Sequence, residues 1–133
     1  MRILGYVVLV GGWLMASGLL QAHHSLAGVY DMKAEKEVTG TVEKVQFTNP
    51  HGELGVAVKN PDGSSTSWVM TLGSATALAQ RGVGKTGPNA LHVGDKITVK
   101  FIPAKDGHPL GFLKSVTYAD GHVIIVSGGR PNE

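Results

Sequence analysis

Downstream of residue 37 the chain alternates apolar and polar side chains with the two-residue period of half-buried strands. Leu54, Val56 and Val58 fall on one strand face, as do Trp68, Met70 and Leu72, and then Ile97, Val99 and Phe101. Two more runs follow, Phe112–Tyr118 and the short Val123–Val126. Asp62-Gly63, Asp106-Gly107 and Asp120-Gly121 lie between these runs. Asp-Gly suits tight hairpins because both residues tolerate positive φ, so each pair predicts a turn between neighbouring strands.

The first run changes phase. Val38, Gly40 and Val42 share one face, Val45 and Phe47 the other, with Glu43-Lys44 at the switch. One extra residue exchanges the two faces, so a β-bulge is expected there, bending a long first strand toward closure. The segment Ser74–Gly82 reads as a short helix, with Ser74 as N-cap and Gly82 as stop. Its apolar face, Ala75, Leu78 and Ala79, is placed to plug one end of a barrel. The expected fold is all-β dominated: a small OB-like barrel of five to six strands, with one short helix between strands three and four. An open sheet or a small β-sandwich is the alternative. The barrel domain is placed at residues 38–126, after an extended lead-in at 23–37 and before a flexible polar tail at 127–133.

Residues 1–22 follow a different logic. Arg2 supplies a positive start, Ile3–Leu20 is uncharged and mostly apolar, and Leu20-Gln21-Ala22 ends in a small residue. That is the layout of a signal peptide cleaved after Ala22, which predicts a periplasmic or secreted protein that is not membrane-bound once processed. An uncleaved membrane anchor is the competing reading. Gly11, Gly12 and Gly18 within the run, and the lack of Lys or Arg just after it, weigh against the anchor.

Composition narrows the function classes. The 133-residue length suits one domain. The absence of cysteine excludes disulfides, zinc-thiolate sites, iron–sulfur clusters and a thiol nucleophile. Twelve basic against ten acidic residues give no basic stripe of the kind that neutralises phosphates, so nucleic acid is not expected as a partner. No nucleophile elbow, zinc-protease helix or EF-hand spacing occurs, and the protein is read as a non-enzymatic binding module. Gly82-Val83-Gly84-Lys85-Thr86 resembles the end of a P-loop, but Ala79 stands where the pattern needs glycine and a helix precedes it. It is read as a flexible loop.

The histidines carry the remaining chemistry. His92, His108 and His122 read as loop or hairpin-tip residues, the last two each following an Asp-Gly pair. Cleavage after Ala22 would make His23 the N-terminus, offering its free amine and ring Nδ1 to one metal as a chelate. His24 adds a competing mode through amine, amide and second-position imidazole. Both modes suit Cu(II), which favours nitrogen donors in a square-planar field. His51, in the turn Thr48-Asn49-Pro50-His51-Gly52, is a candidate third ligand if the lead-in folds past it. The expected metal set is therefore His23, His24 and His51, with copper as the cofactor. Exposed histidines without a partner are the bland alternative.

Ala22-His23-His24-Ser25, Tyr30-Asp31, Val38-Thr39-Gly40-Thr41-Val42 and Thr48-Asn49-Pro50-His51 together resemble a family of bacterial exported proteins of unknown function. Gly73-Ser74, Arg81-Gly82, Gly94-Asp95 and Lys105-Asp106-Gly107 extend the resemblance over most of residues 22–126. Leu26 and Glu53 stand where aromatic residues are usual in that family. The resemblance implies export and a small β-rich domain, and it implies no activity. Besides copper binding, two other roles remain open. One is docking of an oligosaccharide, small molecule or protein partner on a face near Trp68 and Phe47. The other is redox chemistry at a terminal-histidine copper site, for which no second set of catalytic groups is visible.

Overall fold

The computed structural model describes residues 26–127. The expected export signal, His23, His24 and all of the expected tail but Ser127 lie outside those residues. Six strands follow in order: β1 (Lys36–Gln46), β2 (Glu53–Lys59), β3 (Ser65–Thr71), β4 (Lys96–Pro103), β5 (Leu110–Thr117) and β6 (Val123–Ile125). One helix, α1 (Ala75–Gln80), lies between β3 and β4. The sheet order is β3-β2-β1-β4-β5-β6, and β3 also pairs with β5. That pairing is parallel, Val69 to Leu110 through Thr71 to Phe112, and it closes the first five strands into an OB-like barrel. β6 is an extra strand on the outer side of β5.

Local chemistry accounts for most of the elements. The three Asp-Gly pairs turn between β2 and β3, β4 and β5, and β5 and β6, with Gly63, Gly107 and Gly121 all at positive φ. Each Asp side chain accepts the backbone N–H two residues on, at Ser64, His108 and His122. The bulge falls at the expected place, because β1 pairs Val42 with Val56 but Lys44 with Gly55, leaving Glu43 over. A second shift, between β4 and β5, leaves Lys114 over. Nothing in the sequence pattern announced it.

Ser74 caps α1 through its hydroxyl, which accepts the Ala77 N–H at 3.2 Å. At the other end Gly82 (φ 71°) donates to Ala79 O and Val83 to Leu78 O, a Schellman closure that packs Val83 near Leu78. Leu78 is the helix's buried residue and Ala79 is exposed, so the plug is narrower than the face expected from Ala75, Leu78 and Ala79. The interior is filled by Val42, Leu54, Val56, Met70, Ile97, Val99, Phe101, Leu113 and Val116, with Leu72, Leu78, Val83 and Leu91 joining the same core.

The lead-in departs from the extended form expected of it. Residues 26–29 make a helical turn, closed by Tyr30 N–H donating to Leu26 O at 2.8 Å. Tyr30 then bridges to Ala104, flanked by bonds from Asp31 N–H to Pro103 O and from Lys105 N–H to Val29 O, both 2.9 Å. A buried aromatic ring supplies the reason. Tyr30 is 5% exposed, tilts against Phe112 with centroids 5.8 Å apart, and bonds through its hydroxyl to Thr71 Oγ1 at 2.7 Å.

Candidate functional site

His51 sits on the loop joining β1 to β2. The loop is tied to the segment entering α1: Ala75 N–H donates to Thr48 O, Gly52 N–H to Gly73 O, and Leu72 N–H to Gly52 O. Within the loop Asn49-Pro50 is a cis peptide, and Thr48 Oγ1 donates to His51 O at 2.8 Å. Gly52 is required by close approach, since a Cβ there would stand 2.5 Å from Gln46 O. The backbone around His51 is thus built, while its ring is exposed and makes no hydrogen bond among the described residues. No group of three or more potential metal ligands comes together among those residues. A metal centre at His51 would therefore need donors from outside them, which is where His23 and His24 lie.

The other histidines are placed differently from one another. His92 is exposed, with its ring Nε2 3.1 Å from Lys85 O. His108 is exposed on the β4–β5 loop, its Nδ1 2.9 Å from Asp106 Oδ2. Asp106 is held below the usual carboxylate range, first by the His108 backbone N–H and then by its ring. His122 was expected at an exposed hairpin tip, but it is half-buried and fully engaged. Its Nδ1 meets Asp120 and its Nε2 lies 3.1 Å from Asn89 Oδ1. Its ring also stacks on Tyr118. A repeated Asp-Gly-His spelling carried no signal that separates His108 from His122. The difference comes from Asn89, brought in from a distant loop.

An open groove of about 520 Å³ borders α1, lined by Phe47, Ala75, Ala79 and the run Gly82–Pro88. The P-loop-like segment is its wall. It is not a free loop, because Asn89 N–H returns to Gly82 O, Ala90 N–H to Gly87 O and Leu91 N–H to Gly84 O. Gly82 serves as the helix stop, a different role from cradling phosphate. Trp68, expected with Phe47 near a docking face, lies half-buried on the side of Met70 and Leu72 and packs on Phe101 with centroids 5.0 Å apart. Phe47 alone reaches the groove.

The model of one family, described as a family of unknown function (DUF6152), matches residues 13–114. The chain belongs to this family. The match takes in Ala22–Ser25 and Thr48–His51, the stretches that carried the resemblance to exported proteins. For this DUF6152 protein no curated protein gives a match. The family's description names no activity, and the chemistry has to be argued from the residues themselves.

Proposed function

We propose that the mature protein is an exported, non-enzymatic periplasmic binding module that holds Cu(II) through His23. Removal of residues 1–22 frees the His23 amine, which with the ring Nδ1 forms the chelate. His24 or a barrel histidine completes the set, His51 being the one its turn suggests. One observation supports this reading above the rest: the lead-in is stitched to the barrel at Tyr30. A loose lead-in would present His23 anywhere. Anchored at a buried Tyr30, the lead-in starts from a fixed point on the barrel wall, which suits recruitment of a barrel side chain to the chelate.

The test is Cu(II) electron paramagnetic resonance on protein isolated with native processing. A stoichiometric type-2 spectrum with nitrogen couplings, lost in His23→Ala, supports the reading. A spectrum no different from free copper rejects it. Mass spectrometry of the same sample reads the cleavage site directly, and a chain still starting at Met1 would remove the amine on which the chelate depends.

A second reading rests on the groove beside α1. Its apolar lining of Phe47, Ala75, Val83 and Pro88, with Lys85 and Thr86 at hand, suits a small amphipathic ligand or a protein side chain. In that reading the protein binds a metal-free partner there. Oligosaccharide or small-molecule additions that shift the amide signals of Gly82–Gly87 would favour it over copper.

A further inference from the structure

We infer that the groove beside α1 binds a small amphiphile with one anionic head group, its head on the Gly84–Gly87 segment and its apolar part toward Phe47. The inference rests on the groove reading rather than on copper, and it names the ligand chemistry that reading leaves open.

The first argument is an account of donors and acceptors. Four carbonyls of the wall are spent inside the protein. Gly82 O accepts Asn89 N–H at 3.2 Å, Gly84 O accepts Leu91 N–H at 3.0 Å, and Gly87 O accepts Ala90 N–H at 3.3 Å. Lys85 O lies 3.1 Å from His92 Nε2, and a carbonyl only accepts, so that nitrogen carries the proton. Leu78 O and Ala79 O, at the end of α1, are likewise capped by Val83 and Gly82. The donors are left over. The backbone N–H groups of Gly84, Lys85, Thr86 and Gly87, in succession, make no hydrogen bond among the described residues. A run of backbone with its acceptors used and its donors unused is electropositive, and successive N–H groups of this kind serve anion sites.

The second argument is charge. Among the described residues that line the groove, Lys85 is the one charged side chain, and no carboxylate joins it there. Lys85 also enters none of the ion pairs formed among the described residues. An anion on this segment would gain charge-assisted bonds from the ammonium as well as bonds from the amides. The third is shape. The rest of the lining includes Phe47, Ala75 and Ala79, apolar surface in a cavity of about 520 Å³, a size typical of small-molecule sites. The wall is held in place ahead of any ligand. The Tyr118 hydroxyl donates to Asn89 O at 2.7 Å and the Asn89 amide to Arg81 O at 3.0 Å, so binding has little ordering to do.

The experiment is an amide NMR titration of the natively processed protein with octanoate, octanol and acetate. Octanoate should shift the amides of Gly84–Gly87 together with those of Phe47, Ala75 and Ala79, and bind at least tenfold more tightly than either octanol or acetate. Lys85→Gln, at an exposed position, should weaken octanoate at least threefold and leave octanol unchanged. Circular dichroism confirms that the variant folds. If octanol matches octanoate in the groove, the groove reading stands and the anionic head is overturned. If acetate matches octanoate, an adventitious ion only is bound and the apolar half is overturned. Octanoate shifts spread over other faces, or an affinity untouched by Lys85→Gln, overturn the assignment to this site. If none of the three moves the groove's amides the inference falls, and an oligosaccharide that does move them would leave the groove reading standing without it.

Discussion

The ring of Tyr118 stacks flat on the imidazole of His122, with centroids 4.3 Å apart and planes 4° from parallel. Both residues converge on Asn89. The Tyr118 hydroxyl donates to Asn89 O at 2.7 Å, and His122 Nε2 lies 3.1 Å from Asn89 Oδ1. The Asn89 amide donates to Arg81 O at 3.0 Å, and Arg81 donates to Ile125 O at 2.6 Å. One asparagine thus joins the end of α1, the wall of the groove and the β5–β6 hairpin.

Burial, followed by the negative charge of Asp95, pushes the Tyr118 phenol up from 10.0 to about 12. A raised folded value means that its contribution to stability is complete below the unfolded value and is lost as the pH rises toward the folded one. Unfolding free energy should therefore fall between pH 10 and 12. Tyr118→Phe should flatten that part of the fall and cost about 1 kcal/mol at neutral pH for the lost hydrogen bond. Urea melts of both proteins across that range make the comparison, and parallel curves would refute it.

The acid limb belongs partly to Asp120. The His122 backbone N–H, then the His122 ring, hold its carboxyl below the ordinary value. A depressed folded value gives stability that is present above the unfolded pKa and lost as the pH falls through the folded one. Asp120→Asn should make the acid decline shallower, as read from denaturation midpoints below pH ~5. An unchanged decline would show that the contact does not persist in solution.

Gly111 faces the ring of Phe101. A Cβ there would stand 2.2 Å from Phe101 Cδ2 and 2.8 Å from Cγ, and Phe101 is wholly buried. Gly111→Ala should destabilise by about 3 kcal/mol, because neither the ring nor strand β5 has room to move. The thermal midpoint should drop accordingly, and a change below about 1 kcal/mol would mean the core adapts at this point.

At the helix, cap and plug should separate in size. Ser74→Ala removes one hydroxyl that accepts at 3.2 Å from an exposed turn, and should cost about 1 kcal/mol. Leu78→Ala empties a site that is 1% exposed and should cost about 3 kcal/mol. Urea unfolding with unchanged slope would read both as stability changes. A reversed order would mean that α1 is held by its cap and not by the core.

What the sequence determined by itself is what neighbouring residues decide. Asp-Gly placed all three hairpin turns, the phase change at Glu43-Lys44 placed the bulge, and Ser74 and Gly82 bounded the helix. These depend on φ, on side-chain period and on bonds a few residues long. Tertiary structure decided the rest. The parallel pairing of β3 with β5 joins residues far apart in the chain, and only the shape of the closed sheet selects it. Tyr30 reads as an ordinary lead-in residue until Phe112 and Thr71 come together beneath it. The period put Trp68 on the face of Met70 and Leu72, but only the fold brings Phe101 against its ring. His108 and His122 share one local spelling, Asp-Gly-His. They differ because long-range packing brings Asn89 to one ring and leaves the other open to solvent.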